Sequence, residues 1–220
     1  MSSGDHVATA RDVYDLAAQS YVDFAGTVLS LATEGPVDRS LLAAFVELVE
    51  RHDDRRVADV GCGPGRAAAF LADRGLDVIG VDVSRALLGV ARAAHPHIEF
   101  REGQLNALPF ESTTLAGVVS WYSIIHTPPD RLSESFVELA RVLVPGGYVL
   151  LAFQAEGEPV HRDDAFGTHL PLTSYRHSLQ VVVDCLEGAS FTIYATVLRA
   201  PDLDTESSSQ GFVIASSPSS

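Results

Sequence analysis

The stretch from Arg56 to Asp82 restricts the fold more than any other part of the chain. It runs Arg56-Val57-Ala58-Asp59-Val60-Gly61-Cys62-Gly63-Pro64-Gly65-Arg66, continues through an alanine-rich segment, and closes on Asp77-Val78-Ile79-Gly80-Val81-Asp82. Val57 to Val60 is short, apolar and rich in β-branched residues, so it predicts a buried parallel strand. Gly61, Gly63 and Gly65 then let the backbone turn sharply and admit a ligand against bare main chain. Arg66 to Arg74 predicts a helix with Phe70 and Leu71 on one side. Its free N–H groups face the glycine loop. A second apolar strand, Val78 to Val81, carries Asp82 at its tip. That carboxylate lies about twenty residues past the first glycine, the spacing at which an acid reaches two ribose hydroxyls. Strand, glycine loop, helix, strand and acid predict half of a nucleoside-binding α/β fold.

The position of the glycines narrows the ligand. A dinucleotide site of the form Gly-x-Gly-x-x-Gly needs its third glycine at position 66. That position is Arg66, and the third glycine comes one residue early, at Gly65. Asp59 also stands two residues before Gly61. This arrangement resembles motif I of the class I S-adenosylmethionine-dependent methyltransferases, small-molecule type. The resemblance implies an α/β fold: a Rossmann-like seven-stranded, mostly parallel sheet with helices on both faces and an antiparallel C-terminal hairpin. It also implies S-adenosylmethionine as cofactor, held by Asp59, Gly61, Cys62, Gly63, Asp82 and Val83, with Asp82 on the ribose.

At 220 residues and 46% hydrophobic, the chain is long and apolar enough for one globular domain with a full core. No apolar run approaches the roughly 20 residues that span a bilayer. Met1 to His6 lacks the basic-then-apolar pattern of a signal peptide. Cys62 and Cys185 are the two cysteines, which gives no disulfide framework and makes a cytoplasmic location the default. Cys62, in the glycine loop, is read as a small packing residue in preference to a reactive thiol. The net charge is −14 and the arginines are scattered, so a nucleic-acid substrate is disfavoured and a small molecule preferred. The acidity is equally compatible with a role in solubility alone.

Ahead of the organising strand, residues 1–7 are expected to be loose. Val13, Leu16, Ala17, Tyr21, Phe24, Val28 and Leu31 recur at helical spacing. Tyr14 to Tyr21 resembles the family's N-terminal lid, whose aromatic pair closes over cofactor and substrate; an aromatic face also suits a sulfonium. Tyr14 and Tyr21 fit core positions of an amphipathic helix equally well. Residues 1–34 are thus expected to form a lid region and 35–220 the cofactor-binding domain. Gly35-Pro36 breaks the pattern, and Asp38 or Ser40 is expected to cap a helix from Leu41 to Arg51.

Beyond Asp82, Ser84 predicts the cap of a helix ending at His95-Pro96, and Ile98 to Arg101 a third strand. The following Glu102 to Phe110 resembles the family segment that cups the adenine, with Gln104 where an Asp is usual and Leu105 beside it. An amide there still bonds the adenine amino group through its carbonyl oxygen. Leu115 to Ser120 predicts a fourth strand, and the loop Trp121 to Pro129 should face the cofactor, because ligands lie beyond the carboxyl ends of parallel strands. Ser120 joins the implied cofactor contacts, and Trp121 and Tyr122 are expected to line the pocket or pack. A helix from Pro129 to Val144, a tight turn at Pro145-Gly146-Gly147 and a fifth strand, Tyr148 to Phe153, follow. Residues 154–173 are expected to be an aperiodic connection of the kind that walls a substrate site. A helix over 174–186, strands over 190–198 and 211–215, and a frayed tail over 216–220 complete the expectation.

Methyl transfer from a sulfonium is an in-line displacement with a neutral leaving group, so positioning carries most of it. A base is needed where the acceptor bears a proton of high pKa. His126, in the loop after the fourth strand, is the candidate base for an oxygen or phenol acceptor. His161, Asp163, Asp164 and His169 match no closed zinc pattern, so no metal is expected. A nicotinamide-dependent oxidoreductase and a non-catalytic module that keeps the cofactor are the alternatives.

Overall fold

The computed structural model describes residues 5–30, 33–202 and 206–219. The organising stretch folds as its residues dictate. β1 (Arg56–Val60) and β2 (Asp77–Asp82) pair in parallel, Val57 against Val78 through Val60 against Val81, and α3 (Arg66–Ala72) crosses between them. Four more elements extend the pattern: α4 (Arg85–Ala94), β3 (Glu99–Glu102), β4 (Leu115–Trp121) and α5 (Leu132–Val142). Then β5 (Leu143–Ala155), α6 (Leu179–Gly188), β8 (Thr192–Arg199) and β9 (Ser209–Ser216) close the chain. The seven-stranded sheet has the order β3-β2-β1-β4-β5-β9-β8, parallel except for β9, which lies antiparallel to β5 and β8. This is the expected architecture. The strand order reverses between β1 and β4, and a parallel sheet opens its ligand crevice at that point.

Burial on both faces follows from the strand sequences. Every residue of β4, Leu-Ala-Gly-Val-Val-Ser-Trp, is buried. Val57 and Val119 face one core with α2 (Pro36–Val49), α3 and α4; Ala58 and Val118 face the other with α5 and α6. Gly117 permits this closeness, since a Cβ there would lie 2.6 Å from the Phe45 ring. A third, small cluster stands apart from both layers. It joins Ala10 and Val13 of α1 (Asp5–Ala25) to Ala165 and Leu172, with Tyr14 and Leu170 against it.

Several boundaries differ from expectation. α1 already begins at Asp5, so residues 5–7 are helical, and it stops at Ala25, where Gly26 takes φ +73°. Val28 lies past its end, and Leu31 falls outside the described residues. α2 starts at Pro36, not Leu41: proline suits the first helical position, and the Asp38 carboxylate accepts the Gly35 N–H at 2.8 Å. Pro145 to Gly147 lies inside β5 as an irregularity of pairing and not as a turn before it. The 154–173 connection holds a two-stranded ribbon, β6 (Val160–Arg162) against β7 (Leu172–Ser174). Its short strands leave too few alternating residues for a period to be seen. β7 also takes the start of the helix expected from Ser174, which begins instead at Leu179. Nor is the tail frayed through Pro218. Ser217 Oγ donates to the Val144 carbonyl at 2.7 Å, and the Gly146 N–H donates to the Pro218 carbonyl at 3.0 Å.

One ion cluster ties α2 to the sheet edge. Arg199, at the end of β8, donates to both Asp38 oxygens at 3.2 and 3.3 Å and to both Glu206 oxygens at 2.6 and 2.8 Å. Asp38 is 2% exposed. Removing the guanidinium leaves a buried carboxylate without its counter-charge. Arg199→Met is therefore expected to cost about 3 kcal/mol of unfolding free energy in urea titration. A change under about 0.5 kcal/mol, typical of a surface position, would show that the cluster contributes nothing.

Candidate functional site

The glycine loop is shaped by its backbone angles. Gly61 and Gly63 take φ +73° and +52°, in the left-handed region that side chains resist. A Cβ on Gly61 would lie 2.1 Å from the Ser123 Cβ, so the residue has no room for one. The Gly61 and Cys62 N–H groups both donate to the Val81 carbonyl, at 2.7 and 3.0 Å, which hooks the loop onto β2. Asp82, at the tip of β2, fixes the rest: Oδ2 accepts the Gly63 N–H and Oδ1 the Ser84 N–H, both at 2.8 Å. Ser84 in turn caps α4, its Oγ accepting the Leu87 N–H at 3.1 Å.

A cavity opens beyond this loop. Gly61, Gly63, Asp82 and Val83 form one wall, Gln104 and Leu105 a second, and Tyr14, Tyr21 and His126 a third. Trp121 and Tyr122 also line it. The structure thus brings nine of the twelve residues nominated for cofactor or catalysis to one cavity, with Trp121 and Tyr122 beside them. Asp59, Cys62 and Ser120 sit behind its wall. Asp59 is 1% exposed and its Oδ2 accepts the Ala68 N–H of α3 at 2.9 Å. Burial, with Asp82 nearby, pushes its carboxyl up to about 7 against the pull of that hydrogen bond. The Cys62 thiol is buried too and held well above its ordinary value, which makes a poor nucleophile of it. Ser120 shares a 2.5 Å hydrogen bond with Ser123.

His126 lies in a 3-10 turn, Ile124–His126, after β4. Its Nδ1 is 2.9 Å from the Thr173 carbonyl oxygen and its Nε2 is 2.9 Å from the Tyr14 hydroxyl. A carbonyl only accepts, so Nδ1 carries the hydrogen, and in the neutral ring Nε2 is then the acceptor of the Tyr14 O–H. Burial favours that neutral ring, and Arg162 and His6 add to the effect against the Thr173 hydrogen bond. Tyr14 and Tyr21 meet edge to face at 5.2 Å, and Phe166 packs 5.8 Å from each. Asp15 anchors the same helix, accepting from Ser84 Oγ at 2.6 Å and the Ala86 N–H at 3.0 Å.

His6, Val7 and Ala10 also line the cavity, as do Ser123 and Thr127. Val7 shares a helical stripe with Ala10, Tyr14 and Tyr21, a signal cut off by the expectation that residues 1–7 are loose. Ser123 and Thr127 lie in the loop expected to face the cofactor, though not singled out there, and nothing in the residues around Phe166 marks it. The loop geometry fits a nucleoside with an acidic grip: a loop with no room for a Cβ at Gly61, and a carboxylate in the cavity wall. Among the described residues no group of histidine, cysteine and carboxylate side chains is arranged to hold a metal.

Two outcomes test this geometry. Gly61→Ala is expected to lose about 1–3 kcal/mol of stability from backbone strain and overlap with Ser123, read by urea titration. Asp59 binds its proton more tightly folded than unfolded, so its contribution is present in acid and is lost as pH rises through about 7. The melting temperature of Asp59→Asn should therefore gain on the parent between about pH 4 and about pH 7 and level off above; a constant difference across that range would contradict the assignment.

Comparison with known proteins agrees with this geometry. The methyltransferase-domain family matches residues 57–147. A malonyl-[acyl-carrier protein] O-methyltransferase of Erwinia billingiae is 30% identical over 186 residues, which cover 75% of this chain and 69% of that protein. A probable S-adenosylmethionine-dependent methyltransferase of Mycolicibacterium smegmatis is 34% identical over 128 residues, 57% of this chain and 48% of that one. The chain spans about half the length of the first curated relatives it matches. The crystal structure of the [4+2]-cyclase SpnF superposes with a TM-score of 0.73 over 96% of each chain at 15% identity, which speaks for the fold alone. The glycine cradle, the acid at the tip of β2 and the matching relatives together place this chain in the class I S-adenosylmethionine-dependent methyltransferase family.

Proposed function

We propose that the protein transfers a methyl group from S-adenosylmethionine to a hydroxyl of a small-molecule acceptor. The observation that carries this is the shared cavity. The Asp82 carboxylate and the glycine loop stand on one side and the neutral His126 ring on the other. Asp82 would take the ribose, Gln104 and Leu105 the adenine, and the bare backbone at Gly61 and Gly63 the chain leading to sulfur. Bound there, the cofactor would supply a methyl group on a sulfonium, whose leaving group departs uncharged. The protein's own part is to orient the acceptor, exclude water through Tyr14 and Tyr21, and hold the acceptor's proton on His126. We assign α1 the role of lid and residues 35–220 that of the transfer domain. The excess of acidic over basic residues, 29 against 15, favours a small acceptor over nucleic acid.

Two measurements test the proposal. S-adenosylmethionine at about 100 times its Kd should stabilise the parent by about 2.7 kcal/mol, and Asp82→Ala should lose most of that gain. S-adenosylhomocysteine release should be detected with at least one hydroxyl acceptor of a small-molecule panel. His126→Ala should lose on the order of 100-fold in rate and the acid limb of the pH profile, which in the parent lies on the acid side of an ordinary imidazole's because burial lowers the ring. Unchanged rate and profile would remove His126 from the chemistry.

A further inference from the structure

We propose that Tyr14 is a proton relay between the acceptor's hydroxyl and His126, with the Thr173 carbonyl fixing which ring nitrogen receives the proton. This rests on the base role given to His126 above and adds a second group to it. The lone pair on Nε2 is already engaged: the Tyr14 O–H donates into it at 2.9 Å. An acceptor hydroxyl entering the cavity therefore meets the Tyr14 oxygen, which has accepting capacity left. Both residues line that cavity, and the phenol ring is held from the other side by Tyr21 and Phe166. The Thr173 carbonyl comes from β7, so the ribbon behind His126 sets the tautomer.

The step balances without any further reactant. The acceptor O–H bond breaks and its proton passes to Tyr14 Oη. The Tyr14 proton passes to His126 Nε2, which becomes imidazolium. The pair left on the acceptor oxygen forms the bond to the methyl carbon, and the pair of the broken carbon–sulfur bond stays on sulfur. Tyr14 is never left as a free phenolate, which its burial and the neighbouring Tyr21 and Asp82 oppose. The charged and titratable groups facing the pair are His6 and Tyr21 from α1, Asp82 from the tip of β2, and Arg162 from β6.

The test begins with the protein alone. In nitrogen-15 histidine spectra, His126 should show the Nδ1-protonated tautomer. Tyr14→Phe should raise its titration midpoint, because the donor that favours the neutral ring is gone. An Nε2-protonated ring, or an unmoved midpoint, would overturn the relay. In single turnovers with the hydroxyl acceptor identified by S-adenosylhomocysteine release, Tyr14→Phe should lose on the order of 100-fold in rate. Acceptor KM and S-adenosylmethionine Kd should stay within about threefold, and the double variant with His126→Ala should lose no more than either single one, as expected of groups acting as a unit. The parent rate in mixtures of light and heavy water should follow a curved, two-proton dependence, a readout that needs no variant. A straight line, or a Tyr14→Phe rate near the parent's beside a crippled His126→Ala, overturns the relay and leaves the base. Parent-like rates for both variants overturn the base as well.

Discussion

Everything at the site depends on two hydrogen bonds to one carboxylate. Asp82 accepts the Gly63 and Ser84 N–H groups, both at 2.8 Å, and so locks the glycine loop and the start of α4 to the tip of β2. Each oxygen accepts one of these hydrogen bonds, and the carboxylate stands in the wall of the cavity. The same contacts pull against burial, which raises the Asp82 carboxyl. The residue thus frames the glycine loop and also lines the cavity. Backbone donors are suited to this task because they carry no rotamer freedom to lose.

Helix α1 is anchored to the same frame. Asp15 of α1 bonds Ser84 and Ala86, the residues next in line after Asp82, so the helix over the cavity is moored at the acid that faces into it. Behind it, Glu34 pairs with Arg66, the residue that displaced a third glycine from the dinucleotide pattern. Both side chains are largely buried. A buried pair of this kind sets position more than it adds stability. Here it holds the end of the α1–α2 connection against the first turn of α3.

The sheet and half of the site were legible in the sequence, for a physical reason. Val57 to Val60, Val78 to Val81 and Leu115 to Ser120 are apolar runs that have nowhere to go but a two-sided interior, and glycines bound the loops between them. Ser84 is a cap whether or not the rest is known. What stayed hidden depends on contacts distant along the chain. The ribbon of β6 and β7 has three residues per strand and no period of its own. Phe166 meets Tyr14 and Tyr21 only after the chain has folded back across some 150 positions, and Thr173 reaches His126 through a main-chain oxygen that no side-chain pattern encodes. Asp59 was readable as part of a motif; that its oxygen secures the Ala68 amide was not.

The small cluster of Ala10, Val13, Ala165 and Leu172 shares no residue with the two layers that hold the sheet. The contact between α1 and the 163–172 connection is therefore packed separately from the sheet. Substitutions there fall on the packing that holds α1 and its tyrosines beside the cavity, and leave the apolar contacts of the sheet layers unchanged.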